Sequence, residues 1–152
     1  MGTTWSLTCV PPPGIDIVRT RAGVQAMFDR VVAQMSNWEA DSDISRFNRA
    51  APGTAIAIPH EFRFVLDTAL AVAQASNGAF DPTIGALVDL WGFGPVPAAA
   101  PPDIGEIVAA MVTSGWRRLS IREGGALIQP GGLSLDFSSI AKGFGIDLPA
   151  II

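Results

Sequence analysis

The chain has 152 residues, 49% of them apolar and 16% charged, with a net charge of −4. That length suits one domain burying about 68–70% of its unfolded surface, and that apolar content excludes disorder. A lone Cys9 excludes an internal disulfide, no Cys/His cluster offers a zinc site, and Lys142 is the only lysine, so nothing basic points to nucleic acid.

Residues Met1 to Val10 read as a strand, because Thr3, Trp5, Leu7 and Cys9 alternate with Thr4, Ser6 and Thr8 before Pro11-Pro12-Pro13-Gly14 stops the run. Cys9 there reads as a small buried hydrophobe. Val24, Met27, Phe28, Val31, Val32 and Met35 then share one helical face. Ser36 to Asn48 is polar and reads as a loop with a short helical turn, in which Arg46 pairs with Asp41 or Asp43 at the surface. Phe62, Val65, Leu66, Ala69, Leu70 and Ala73 repeat the helical spacing after Pro59, and Ser76-Asn77-Gly78 stops it. Asp81 as N-cap and Pro82 as first helical residue predict a further helix with Ile84, Leu87, Val88 and Trp91 on one face, and Phe80 and Trp91 in the core. After a Gly/Pro/Ala loop, Asp103 and Glu106 have the spacing of a capping box ahead of Ile104 to Val112, with Gly115 as the stop.

The last third changes period. Strands are expected around Leu119–Ile121, around Leu127 and over Leu133–Phe137, with turns at Gly124-Gly125 and Pro130-Gly131-Gly132. Helices early and hairpin strands late predict an α+β fold, early helices packed on a largely antiparallel sheet.

Four stretches are more specific than a core requires: Met1–Trp5, Met35–Asn48, Gly78–Gly85 running on to Leu90–Gly94, and Leu135–Asp147. In the fourth, a strand ending at Asp136 and a helix starting near Ser138 or Ser139 would present free backbone N–H groups to an anion, with Lys142 one turn in as a point charge. Asp136 there can accept from a ligand amide or help hold a divalent cation. The plainer alternative is a strand-to-helix turn, Asp136 as a local cap and Lys142 solvated. Trp38, a large aromatic in a polar loop, needs something to pack on, either a flat ligand ring or the neighbouring Phe47.

The four stretches, in this order, resemble the blocks of the FAD:protein FMN transferases, the ApbE family, over residues 1–147. M-G-T-T-W is similar to the opening strand, and M-S-N-W-E-A-D-S-D-I-S-R-F-N to the second block, with Trp38 where Tyr is common. G-A-F-D-P-T-I-G with L-W-G-F-G, and L-D-F-S-S-I-A-K-G-F-G-I-D, resemble the remaining two. The resemblance implies a reaction in which FAD, with Mg²⁺, gives its FMN half to a Ser or Thr hydroxyl of an acceptor flavoprotein and releases AMP. It implies FAD contacts at Met1, Trp38, Ala79, Phe80, Asp81, Asp136 and Lys142, and a Mg²⁺ contact at Ser139 through its backbone oxygen.

The family's later blocks, one containing His and one supplying Asp/Thr ligands to Mg²⁺, find no match here, and His60 stands in another context. Residues 1–147 are therefore expected to be the N-terminal part of the transferase domain, and 148–152, with Pro149 where a helix should continue, an atypical tail left by truncation or frameshift. The catalytic residue stays unassigned. The expectation is that the chain alone does not transfer FMN at a useful rate, the alternative being a non-catalytic flavin-binding remnant or pseudogene product. No run reaches the ~18 apolar residues of a membrane span and no leader is visible as written, so the expected location is cytoplasmic, although relatives are often exported and membrane-anchored.

Overall fold

The computed structural model describes residues 4–151. The first helix, α1 (Ile17–Met35), starts where the Asp16 side chain accepts from the Arg19 amide at 3.1 Å. It buries Val24, Val31 and Met35 along its predicted stripe. The short α2 (Asp43–Arg49) is capped by Ser42 and buries Ile44 and Phe47. After β1 (Ala55–Ile56) comes α3 (His60–Ala75), which buries Phe62, Val65, Leu66, Ala69 and Ala73. Pro59 gives α3 no side-chain cap; instead Gln34 of α1 accepts from the Phe62 amide at 3.0 Å, tying two helices together at an end that would otherwise leave a donor unpaired. The α3 stop is the predicted one. Asn77 and Gly78 both have positive φ, and the Gly78 amide reaches back to the Ala73 carbonyl at 2.8 Å.

Two helices, α4 (Gly85–Leu90) and α5 (Ile104–Thr113), pack on each other. The Asp103/Glu106 capping box of α5 forms in both directions, each bond 2.9 Å long. The sheet follows, with β2 (Ser120–Ile121) and β3 (Leu127–Ile128) paired antiparallel and β1 added on the far side of β3. The register sets Ala55 opposite Ile128 and Ile56 opposite Leu127. A last helix, α6 (Ala141–Asp147), gives way to a 3₁₀ turn over Leu148–Ile151, where Pro149 cannot continue the α ladder. Helices around a small antiparallel sheet make the fold α+β. The core gathers α1, α2, α3, β3 and the segment 133–137, with Phe62 and Phe137 in tilted ring contact at 5.1 Å.

Several expectations are corrected. Residues 4–10 form no strand: Trp5 lies on α1, its ring against Phe28 and its N–H donating to Gln25 at 2.9 Å, so a helix flank takes the place of a sheet neighbour. Met1 lies outside the described residues. Cys9 is exposed. Asp81 is no N-cap, because its carboxylate closes a turn onto the Thr83 amide and hydroxyl, and α4 starts three residues later than Pro82 with Ile84 as its cap. Ile84 and Trp91 are consequently exposed on α4, and Phe80 is only half-buried. Asp43, not Asp41, pairs with Arg46 and is itself buried, while Asp41 offers Arg46 its backbone carbonyl at 2.9 Å.

The strand expected over Leu133–Phe137 is extended but joins no ladder, apart from one parallel bridge between Ser134 and Ile84. Side-chain amides take the place of a neighbouring strand. Asn48 accepts from the Leu135 amide at 2.8 Å and donates to the Leu135 carbonyl at 3.0 Å, and Gln129 does the same for Leu133 at 3.3 and 3.0 Å. The backbone polar groups of a buried segment are thereby satisfied without a strand.

Candidate functional site

The end of α1 is turned sharply. The Ser36 carbonyl accepts from the Ser42 hydroxyl at 2.7 Å and from Ser45 at 3.4 Å, which folds residues 36–42 back and sets Asn37 and Trp38 at the helix terminus. Opposite them stand Phe93 and Gly94, beyond α4, and the turn leading into α6. Together they enclose a cavity of about 550 Å³ lined by Asn37, Trp38, Gly94, Asp136, Ser138 and Lys142 over an apolar floor of Val31 and Met35. An apolar recess with a few converging polar groups has the make-up of a small-molecule site.

Asp136 is 8% exposed and its carboxylate is engaged by the protein itself. One oxygen accepts from the Ser138 amide at 2.8 Å and from the Ser138 hydroxyl; the other accepts from the Asn37 amide group at 2.9 Å. Its own backbone N–H donates to the Pro82 carbonyl at 2.9 Å. Asp136 thus caps its own turn, as the plainer reading has it, and also fixes Asn37. The helix behind it begins at Ala141, later than Ser138 or Ser139, and the amides of Ile140 and Ala141 both go to the Phe137 carbonyl at 3.0 and 2.8 Å. Those amides are therefore not free for an anion. Lys142 is: it is exposed at the cavity wall and, among the described residues, forms no salt bridge.

A second carboxylate lies close by. Asp89 of α4 abuts Gly94, where an added Cβ would fall 1.8 Å from its Oδ1. Loss of water around it, and next the negative charge of Asp136, push the Asp89 pKa above the ordinary carboxylate range. Burial likewise raises Asp43, against the pull of Arg46.

Of the residues expected to form a site, Trp38, Asp136 and Lys142 come together around this cavity, and Ser139 follows Ser138 in the same turn, exposed. Trp38 is 67% exposed and lines the cavity, while Phe47 is wholly buried in the core. Ala79, Phe80 and Asp81 do not line the cavity. Asp81 instead accepts from the Trp116 amide at 3.1 Å, binding the turn before α4 to the chain that follows α5. Its link to the cavity is indirect, through the Pro82 carbonyl held by Asp136. Among the described residues no three His, Cys, Asp or Glu side chains converge as metal ligands.

The chain is similar in sequence and fold to known proteins. The sequence matches the ApbE family over residues 1–151. The chain belongs to the ApbE family. It is 36% identical to the FAD:protein FMN transferase of Vibrio cholerae, over 99% of this chain and 46% of that protein. With the FAD:protein FMN transferase of Haemophilus influenzae it shares 34% identity, over 97% of this chain and 45% of the relative. Its fold is similar to the flavin transferase ApbE from Vibrio cholerae (TM-score 0.87, 33% identity, 93% of this chain and 46% of that one). The apo form of the Pseudomonas stutzeri flavinyl transferase ApbE is similar too (TM-score 0.85, 33% identity, with the same coverage). The chain thus spans about half the length of the curated relatives it matches. No described helix is long and apolar enough to cross a membrane.

The sequence reading named Ser138 only as a possible helix start, held Asn37 and Gly94 within longer motifs, and did not single out Asp89. An Asn before an aromatic, or a Gly after Phe, carries no signal of its own. Their part is visible only when three distant segments meet.

Proposed function

We propose that the ApbE-family chain binds FAD in this cavity and contributes to an FAD:protein FMN transferase reaction. The observation that carries the proposal is the meeting of Trp38, Asp136 and the exposed Lys142 around one recess. Trp38 offers a flat face to a flavin ring. Lys142 supplies a point charge for the diphosphate, where negative charge has to be offset before a hydroxyl can attack. In the transfer, the oxygen of a Ser or Thr hydroxyl on an acceptor flavoprotein bonds to the FMN phosphorus. The bond to the other phosphate breaks, AMP leaves, and the hydroxyl proton passes to a base. Met1, Ala79, Phe80 and Asp81 belong to the same reading as FAD contacts by family resemblance, with residues 1–147 as the N-terminal part of the domain and 148–152 as a tail.

The described residues do not fit a Mg²⁺ centre by themselves. The Ser139 carbonyl would be one oxygen of the near-octahedral set that Mg²⁺ requires, and the Asp136 carboxylate in the same turn already accepts from Asn37 and Ser138.

His60, the only histidine, favours a second reading, flavin binding without transfer: it starts α3 and does not line the cavity. One experiment separates the two. FAD is titrated into the chain and into Lys142→Ala, and an acceptor flavoprotein is then added with Mg²⁺ and inspected for covalent flavin by in-gel fluorescence. FAD binding weakened roughly ten-fold by Lys142→Ala supports the site, in line with the ~1.5–3 kcal/mol of a charge-assisted contact. A fluorescent acceptor decides for transfer, and its absence alongside tight FAD binding decides for the second reading. No FAD binding at all overturns both.

A further inference from the structure

Two large aromatic residues stand exposed around one apolar recess. Trp38 is 67% exposed and Phe93 76%, and both line the cavity above Val31 and Met35. Trp5 with Phe28, Phe62 with Phe137 and Phe64 with Phe144 form ring pairs, but among the described residues neither Trp38 nor Phe93 touches another ring. Neither packs against the core cluster. Accessible aromatics at the rim of a concave apolar site are the make-up of a surface that a ligand covers.

The backbone under Phe93 is pinned. Its N–H donates to the Val88 carbonyl at 3.0 Å, and that of Gly92 to the Asp89 carbonyl at 2.9 Å, which ties the loop to the end of α4. The glycines on either side sit hard against the chain. An added Cβ would fall 2.4 Å from the Ala98 nitrogen at Gly92 and 1.8 Å from Asp89 Oδ1 at Gly94. Trp38 is held by the turn after α1, its N–H donating to the Ser36 hydroxyl at 3.3 Å. Two segments distant in sequence thus each bring one aromatic residue to the same recess. Trp91, two residues before Phe93 and also exposed, does not line it.

Resting on the FAD reading above, we propose that Phe93 is the second ring contact of the flavin, with the isoalloxazine held between Trp38 and Phe93. A flat tricyclic ring has two faces to shield from water, and Trp38 covers one of them. Phe93 supplies an offset-stacked or edge-to-face partner for the other. The phosphates run toward Lys142 in the same cavity. Phe93 is then a specificity residue for the flavin half of the dinucleotide.

The test titrates FAD and its two halves, FMN and AMP, into the chain and into Phe93→Leu, Phe93→Tyr and Trp91→Leu. Phe93→Leu keeps apolar bulk and loses the flat face, and at so exposed a position its melting curve should match that of the parent chain. FAD and FMN should bind it about three- to ten-fold more weakly, with AMP unchanged, while Phe93→Tyr and Trp91→Leu should bind FAD like the parent. Unchanged FAD affinity in Phe93→Leu, or an equal loss in Trp91→Leu, overturns the inference and leaves the FAD reading standing. A loss for AMP in place of FMN also overturns it, because the ring at Phe93 would be adenine. Absence of FAD binding to the parent chain overturns both.

Discussion

At the residue scale the site is governed by which polar groups are already used. Lys142 is exposed and forms no ion pair among the described residues, whereas Asp136 accepts three hydrogen bonds from Asn37 and Ser138. Asp89 is the residue whose charge is least welcome, since its own loss of water and the Asp136 charge both act against ionisation. A carboxyl whose folded pKa is raised adds stability only below its unfolded pKa and loses it as pH climbs through the folded value. Asp89→Asn should therefore raise the melting temperature at neutral pH and leave it unchanged near pH ~3, below the ordinary carboxylate range. Melting curves across that range check it, and an equal effect at both ends would show that the charge is not the cause. Trp38 yields a spectroscopic prediction. FAD should quench its fluorescence, Trp38→Phe should remove that part of the quench while keeping most of the affinity, and Trp38→Ala should lose a further ~0.5–1.5 kcal/mol. Three proteins of equal affinity would place the ring elsewhere.

At the scale of elements, the segment 133–137 behaves as a strand that side chains complete. Asn48 supplies both a donor and an acceptor to Leu135, and no Ala can do either. Asn48→Ala should cost about 1–3 kcal/mol of unfolding free energy, the penalty of leaving buried backbone groups unpaired. It should also loosen the support of Asn37, so urea unfolding and FAD titration are expected to fall together. The other edge of this segment tolerates no side chain: at Gly85 a Cβ would lie 2.9 Å from the Ser134 carbonyl and 3.0 Å from that of Leu135. That contact explains a glycine at the first residue of a helix, where it is otherwise a poor choice. Of these elements, the helices α1, α3 and α5 were legible, because their apolar spacing and stop signals act within a few residues. The side-chain pairing was not, because Asn48 and Leu135 are 87 positions apart and neither has a periodic signature.

Across the whole molecule, one cluster binds the site to stability. Phe137 follows Asp136, packs on Phe62 of α3 and is wholly buried with Phe47, Leu66 and Leu127. Phe137→Ala should destabilise by about 3–5 kcal/mol, a large share of the ~5–15 kcal/mol that a domain of this kind has. Chemical denaturation followed by circular dichroism measures it. A loss under 1 kcal/mol would show that the 133–137 segment is not anchored through this ring. Away from the cluster, α5 has no buried residue, and Ile104, Met111 and Val112 are exposed.

The sequence by itself determined the α+β class, the helices α1, α3 and α5 with the stop of α3 and the capping box of α5, two of the three strands, and the family, because motif order and apolar periodicity are written along the chain. It also marked Trp38, Asp136 and Lys142. Only the tertiary structure decided the rest. It turned Cys9 and Trp91 outward, made Asp81 a clamp on Trp116 instead of a helix cap, and occupied the amides ahead of α6. It also left the buried Asn37 Oδ1 without a partner among the described residues. Each of these depends on where a hydrogen-bond partner or a packing surface lies in space, and partners tens of residues apart leave no trace in local spacing.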